Sequence, residues 1–403
     1  MKRYDIIIVG AGPAGLGFAR ALAGSGLSVA LVEQQDRGKL ADPAFDGREI
    51  ALTHTSRLLM ERLDLWQRIP AGEISPLRDA RVMNGPSPFA LTFADSSGGD
   101  ELGWLVPNQL IRRAAWQAVQ GQDGLDIIDN AALAALQVDD DAATATLATG
   151  ERLSARLLVA ADSRFSATRR MLGIGAQLRD FGKTMLVCRM RHELPHHHAA
   201  WEWFGYGKTV ALLPLHGERA GAVLTLPPRR IEALLAMDEA GFGRAITELF
   251  EGRLGEMALD GSRHAYPLVA VYADRFAGRR SALIGDAAVG MHPVTAHGFN
   301  FGLRSAARLS KAVVEAAAAG RDIGSPPLLA GYERSHRRAT RPLYEATNAI
   351  AALYTDDRLP ARVLRNGALR AARFVAPFRK AIVAQLTQRD AAWLPRAGQT
   401  RGA

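Results

Sequence analysis

The chain has a single cysteine, Cys188, in 403 residues. One thiol excludes an intramolecular disulfide framework and a cysteine-based zinc site, and fits a reducing compartment. Lysine is almost as scarce: of 50 basic residues only six are Lys, at 2, 39, 183, 208, 311 and 380. The formal charge of +9 is therefore carried by arginines dispersed along the chain. A nucleic-acid footprint needs a concentrated basic stripe, so nucleic acid is not an expected partner. Also missing is any run of the roughly 20 apolar residues that a spanning helix needs. The uncharged run Ala287 to Leu303 contains His, Asn and three Gly. Met1-Lys2-Arg3 before an apolar stretch imitates a signal peptide, but Asp5, Pro13 and glycines at 10, 12 and 15 break that pattern. A cytoplasmic protein is expected, either free or peripheral on the inner membrane face.

What is present is enough apolar sequence, 48% of residues, for a large core, at a length typical of two or three domains. Tyr4 to Val9 is a β-branched run too short for a helix and reads as a buried parallel strand. It leads into Gly10, Gly12 and Gly15, in G-x-G-x-x-G spacing, with Pro13 and Ala14 between the last two. A helix to about Gly24 follows, then a second strand, Ser28 to Val32, ending at Glu33. Each part has a mechanical purpose. The first glycine permits a tight turn, the second lets backbone N–H groups approach a pyrophosphate, and the third lets helix and strand pack closely. The helix N-terminus adds partial positive charge beside the phosphates. The Glu33 carboxylate suits the adenosine ribose hydroxyls and disfavours a 2′-phosphate. Strand, glycines, helix, strand and acid in register identify a dinucleotide site far more firmly than the glycines alone.

Further on, a strand at Ser281 to Ile284 runs into Gly285-Asp286-Ala287-Ala288, then His292-Pro293, Gly298, Phe299, Asn300 and Gly302, with a helix to about Ala319. Together with the N-terminal motif, this segment resembles the class A flavoprotein monooxygenases, the para-hydroxybenzoate hydroxylase-like superfamily. The resemblance implies FAD as cofactor, with Asp286 accepting from ribityl hydroxyls. It also turns the N-terminus of the following helix, at Gly298, Phe299 and Asn300, towards the flavin pyrimidine. A helix N-terminus supplies about half a positive charge, which stabilises an anionic reduced flavin. Arg48, followed by Ala51 and Leu52, looks like the family's arginine near flavin and pyrophosphate, and Arg112 joins the cofactor set. Asp162-Ser163-Arg164-Phe165-Ser166 with Arg169 looks like the Asp-Gly segment linked to FAD and NAD(P)H; Ser163 departs from the usual glycine.

Within the superfamily, 294–303 and Gly103-Trp104-Leu105-Val106-Pro107-Asn108-Gln109 resemble the ubiquinone-biosynthesis hydroxylases (UbiH, UbiF and UbiM-like), and His297 before the glycine is most similar to the UbiM subgroup. The implied fold is α/β: a Rossmann-like FAD domain of glutathione-reductase type, with an inserted antiparallel substrate sheet and C-terminal helices. The boundaries read as FAD domain at 1–78, 101–181 and 276–325; a substrate hairpin at 79–100 and substrate domain at 182–275; and a helical region at 326–403. Strands are expected at 184–192, 199–206, 208–215, 220–227 and 263–272, with helix near 229–250.

Trp201-Glu202-Trp203 partly matches a halogenase W-x-W-x-I-P signature, but Phe204-Gly205-Tyr206 follows it. The tryptophans read as sheet residues, with a substrate-channel lining as the functional alternative. His196-His197-His198 read as a solvated loop and not a metal site, because adjacent strand side chains point apart. His54, His216, His264 and His336 read as structural. From 358 to 389 eight basic residues and no acid alternate with apolar ones. That pattern fits a membrane-surface or partner-docking helix, and equally a cap on the FAD domain with its basic face solvated.

By the resemblance, NAD(P)H reduces FAD, O₂ gives a C4a-hydroperoxyflavin, and oxygen passes to a polyprenylated phenol or quinol of ubiquinone biosynthesis, with C5 the favoured ring position. His297 and Pro293 are then the residues nearest the reacting ring, and a ubiquinone-biosynthesis complex is an implied partner. Another FAD reaction (saturation or halogenation) and a non-catalytic FAD-binding assembly subunit remain open alternatives.

Overall fold

The computed structural model describes residues 1–85, 90–94, 101–293 and 297–355, with positions 358, 360, 365 and 367. The chain opens with β1 (Lys2–Val9), α1 (Pro13–Ala21) and β2 (Val29–Val32). Ile6, Ile7, Ile8 and Val9 are all buried, the reason this strand lacks apolar–polar alternation. Next come α2 (Arg37–Ala41), β3 (Glu49–Leu52) and α3 (His54–Arg62). Asp36 and Thr53 start the two helices by accepting from the backbone N–H groups of Lys39 and Ser56. After β4 (Ser75–Leu77), β5 (Asp79–Asn84), β6 (Ala90–Ala94) and β7 (Gly103–Pro107), the amphipathic α4 (Asn108–Ala118) leads to β8 (Leu125–Ile128). The hairpin β9 (Leu133–Val138) and β10 (Ala143–Leu147), then β11 (Arg152–Ala160) and α5 (Ala167–Met171), complete this half.

The second half begins with the long β12 (Ala176–His192), then β13 (Ala199–Phe204), β14 (Thr209–Pro214) and β15 (Arg219–Leu226). Helices α6 (Pro228–Leu235) and α7 (Glu239–Leu249) follow, in the region 229–250 where helix was expected. Asp238 divides them by accepting from Gly241 N–H at 2.7 Å as the cap of α7. The chain returns through β16 (Met257–Leu259) and β17 (His264–Ala273), then β18 (Ala277–Gly278), β19 (Ser281–Leu283) and β20 (Val289–Gly290). It continues into α8 (Gly298–Ala318) and α9 (Pro326–Thr355).

Two large sheets organise these elements. In the first, β19, β11, β1, β2 and β8 run parallel, edged by β18 and the β9–β10 hairpin. In the second, the order is β20-β17-β12-β15-β14-β13-β5-β6, with β16 on β12. The hairpin β5–β6 therefore joins strands more than a hundred residues later, β5 lying parallel to β13. A small third sheet, β3-β7-β4, completes the architecture.

The second sheet buries one face under α6 and α7. Leu186, Cys188, Met190, Trp203, Val210, Leu212, Ala222 and Leu224 pack there with Ile231, Phe242, Ile246 and Phe250. Burial accordingly pushes the Cys188 thiol up to about 12. Trp203 donates its indole N–H to Gly85 O at 2.9 Å, and Trp201 packs against the same cluster. The tryptophans are thus core residues beneath the helices, and the channel-lining alternative is corrected: it is Glu202, between them, that faces the other way.

The histidine reading also needs correction. His197 is exposed, but His196 is 5% exposed and stacks edge-on between His192 and His198 at 5.1 and 5.6 Å. His196 Nε2 bonds Leu215 O at 2.9 Å. Among the described residues no group of His, Cys, Asp or Glu is arranged to hold a metal ion. The basic run at 358–389 lies outside the described residues apart from positions 358, 360, 365 and 367. One of these, Arg365, is buried with its guanidinium 5.7 Å from the Tyr206 ring. No helix among the described residues is long and apolar enough to cross a membrane.

Burial holds the His196 imidazole down at about 4, with the neighbouring His192 and His198 adding to the effect. His292 is likewise pushed down to about 4 by burial, then by Arg179. Both rings are neutral in the fold and protonate more readily once unfolded. Their stabilisation is complete above the unfolded value near 6.5 and is lost as pH falls from there towards 4. The melting temperature is expected to drop steeply between pH 6.5 and 4.5, and less steeply in His196→Gln, as read by thermal denaturation.

Candidate active site

The first sheet places three distant segments against one another. At the end of β1, Gly10 has φ +106°, and a side chain there would come within 2.6 Å of the Ala161 carbonyl oxygen. A Cβ on Gly15 would overlap the Gly10 carbonyl oxygen. Gly12 is different: a Cβ there meets nothing within 4 Å. Gly12 also caps α1 without a side chain, and Pro13 occupies the first turn. The open N–H groups of α1 therefore face a space that a side chain at Gly12 would fill, the geometry of an anion cradle.

Glu33, at the end of β2, accepts from Ala11 N–H at 2.6 Å and Gln35 N–H at 2.9 Å. These bonds fix its carboxylate at the rim of the glycine loop and leave lone pairs for a diol. Arg112, on α4, donates to Gln35 Oε1 at 3.3 Å and so stands at the same rim.

Gly285, at the end of β19, has φ +61°, and its Cβ would meet Ala14 Cβ at 2.9 Å. The Gly285-Asp286 turn is therefore locked against the start of α1. Ser305 Oγ on α8 accepts from Gly285 N–H at 3.0 Å. Asp286 forms an ion pair with Arg164 at 3.1 Å, and Arg169 donates to Ala287 O at 2.9 Å. The Asp162 segment is thus docked on the Asp286 turn by two arginines. Asp162 itself accepts from Ser166 Oγ and, at 2.9 Å, from both Thr168 N–H and Oγ1. Its carboxylate shapes the turn into α5. Ser163 sits at φ +77°, a left-handed conformation that costs a non-glycine residue about 1 kcal/mol or more.

The helix α8 begins at Gly298, where a Cβ again meets nothing within 4 Å, and its cap residue His297 makes no side-chain cap bond. His297 is buried, its ring 6.0 Å from that of Phe301. Phe299 packs partly buried against the main core. The Asn300 side chain bridges backbones, donating to Ala51 O at 2.8 Å and accepting from Thr53 N–H at 3.2 Å. It fastens α8 to β3 and α3. Pro293 is exposed, whereas His292 is buried edge-on against Phe181 at 4.7 Å. Positions 294–296 lie outside the described residues.

Around Arg48 the structure adds partners that no motif announced. Its guanidinium pairs with Asp46 at 2.5 Å and lies 5.6 Å from the Tyr266 ring. Asn108 donates to the same Asp46 carboxylate at 2.7 Å, and Tyr266 OH donates to Asp46 O at 2.8 Å. Burial alone would raise Asp46, but its bonds and charge pairing with Arg48, then Asn108, outweigh it and hold the carboxyl below its ordinary value. Next along β3, Glu49 is raised by burial, against the pull of Arg189 at 2.7 Å. The spacing Asp46-x-Arg48 was a local signal for one of these contacts; Tyr266 and Arg189 had none.

A family described as the FAD binding domain matches residues 3–347. The chain belongs to this FAD-binding family, the class A flavin monooxygenases. Its relatives include the ubiquinone hydroxylase UbiM of Neisseria meningitidis, 48% identical over 388 residues, or 95% of this chain and 84% of that one. The ubiquinone hydroxylase UbiL of Rhodospirillum rubrum is 34% identical over 379 residues, covering 94% and 88%. Among solved structures, p-nitrophenol 4-monooxygenase PnpA from Pseudomonas putida superposes with a TM-score of 0.77 over 96% of this chain and 99% of that one. At 18% identity that likeness speaks for the fold alone. The cofactor of this flavoprotein is FAD, with NAD(P)H the usual reductant of its class. The bare-backbone cradles at Gly12 and Gly298 and the side-chain-free cap of α1 fit such a group.

Two outcomes follow for this flavoprotein. Gly12→Val is expected to leave folding cooperative while abolishing the bound-flavin absorbance, because the added side chain enters empty space. Gly15→Val is expected to lose cooperative unfolding itself, read by circular dichroism. Asp286→Ala removes a charge-assisted acceptor worth about 1.5–3 kcal/mol and leaves Arg164 with its bond to Val269 O. It is expected to purify with at least tenfold weaker FAD affinity, measured by fluorescence titration.

Proposed function

We propose that this flavoprotein hydroxylates the aromatic ring of a polyprenylated phenol or quinol precursor of ubiquinone, using NAD(P)H and O₂, with C5 the favoured position. The observation that carries the reading is the 48% identity to a ubiquinone hydroxylase along nearly the whole chain. The site geometry supports it: α1 and α8 both start at glycines beside open space, and α8 packs on the Gly285 turn through Gly302.

Bound FAD supplies the redox chemistry that no side chain can, including the activation of O₂. The chain's residues hold and shield it. Gly10, Gly12, Pro13, Ala14 and Gly15 form the diphosphate cradle, and Glu33 with Arg112 lies at the ribose end. Arg48 and Asp286 serve the central part of the cofactor, with Asp162 shaping the turn that brings Arg164 to Asp286. Gly285 closes that turn, while Gly298, Phe299 and Asn300 present the start of α8. The second sheet covers the reaction space and excludes water, which would otherwise divert reducing equivalents to peroxide.

In this reading His297 and Pro293 border the reacting ring. His297 accepts a phenolic proton at an imidazole nitrogen and returns it to solvent after oxygen transfer. The enzyme works in the cytoplasm, at the inner membrane face where a polyprenylated ring resides. A complex with other ubiquinone-synthesis proteins and membrane contact through the basic C-terminal segment belong to the same proposal.

The test is NAD(P)H oxidation by the purified holoenzyme with a short-chain prenylphenol. Stimulation by the phenol, dependence on O₂, and a hydroxylated product by mass spectrometry are expected. FAD binding without phenol-stimulated oxidation would instead identify an assembly subunit. Quinone profiling of a deletion strain assigns the ring position from the intermediate that accumulates. His297→Ala is expected to retain FAD and lower the hydroxylation rate at least tenfold; unchanged turnover removes it from the mechanism.

A further inference from the structure

The face of the second sheet opposite α6 and α7 looks towards the FAD-binding half. Alternation along each strand defines it: wherever a residue packs beneath the helices, its neighbours point the other way. Registered pairs across the sheet give one continuous row on this face: Val82, Glu202, Ala211, Val223, Val187 and His264. The row ends against the Asp46–Arg48 loop, since a Cβ on Gly47 would lie 2.8 Å from Val187 and 3.0 Å from His264. A parallel row passes through Leu213, Gly221 and Arg189, with the Glu49 side chain over Gly221.

Glu202 is the anomaly of this strip. Its strand partners are Val82 and Ala211. The charged and titratable groups of the face are Arg189 with Glu49, His264 with Tyr266, and Arg191 with Arg219 at its far end, on β12, β17, β3 and the start of β15. At the ordinary strand spacing, β12 is about 14 Å from β13. Among the described residues Glu202 has no hydrogen-bond or ion-pair partner, and burial alone pushes its carboxyl up to about 8. At neutral pH it is therefore a protonated acid, able both to donate and to accept one hydrogen bond. Val82, Glu202 and Val223 also stay incompletely covered although β5, β13 and β15 are interior strands. The strip thus forms a floor of small apolar side chains with one carboxyl that no protein group among the described residues pairs, the composition of a ligand pocket wall.

We propose that Glu202 recognises the substrate, its side-chain carboxyl hydrogen-bonding an oxygen substituent of an uncharged aromatic ring lying on the Val82–Ala211–Val223 strip. This deepens the proposed hydroxylase function and rests on it. The polyprenyl chain offers no hydrogen-bonding atom, so the ring oxygens are the substrate's means of satisfying the carboxyl. The class selected is a neutral hydroxyarene or quinol. A ring carboxylate would place a second acidic group in a strip that, among the described residues, contains no cation to compensate it.

The test compares binding of a short-chain prenylphenol and its methyl ether to the FAD-loaded enzyme by calorimetry, independently of turnover. Wild type is expected to bind the phenol about tenfold more tightly than the ether, the ordinary effect of leaving a buried group unpaired. Glu202→Leu, similar in volume, is expected to abolish that preference while retaining FAD; Glu202→Gln, which keeps a donor and an acceptor, is expected to restore it. Equal binding of both ligands by wild type, or undiminished preference in Glu202→Leu, overturns the proposal. So does failure of wild type to bind the phenol. Binding with the expected preference but without hydroxylation would defeat the hydroxylase reading alone.

Discussion

The structure depends on close backbone approach at the crest of the parallel sheet. Gly10, Gly15, Gly285 and Gly302 sit where three segments, separated by some 150 and 120 residues of chain, come within contact distance. A Cβ at Gly10 would strike Ala161, one at Gly15 would strike Gly10, and one at Gly285 would strike Ala14; Gly302 lies against Gly285 at ordinary van der Waals distance. No side chain can be added at the first three without moving β1, β11 or β19, the strands that carry the site. The cofactor cradle and the packing of the fold are therefore one constraint.

That crest explains why polar side chains around it do structural and binding work together. Asn300 is spent on Ala51 and Thr53, which fixes the angle at which α8 meets the crevice. Asp162 is spent on Ser166 and Thr168, which aims Arg164 at Asp286. Asp46 gathers Arg48 and Asn108, and its backbone carbonyl takes Tyr266. Each uses a carboxylate or amide to hold another group in place. The helix starts of α1 and α8 add partial positive charge beside these charged side chains.

The second sheet meets a different demand. One face must be sealed under helices for stability, and the other must remain partly uncovered for a ligand. Trp201 and Trp203 serve the sealed face, whereas Glu202 between them serves the other. A single residue of register decides which side chain meets substrate.

The local signals in the sequence reached a long way. The β1–Gly–α1–β2–Glu33 unit, the Gly285-Asp286 turn and most strands of the second sheet were legible, because strand period, glycine spacing and caps act over a few residues. The sequence by itself determined a dinucleotide-binding α/β unit through those short-range rules, and its family resemblance implied FAD. Only the tertiary structure decided the rest. It assigned Tyr266 to Asp46 across 220 residues, buried His196 where a solvated loop was expected, and turned the tryptophans inward. These outcomes are set by which strands pair and which face the helices cover, and both depend on contacts between residues far apart in the chain.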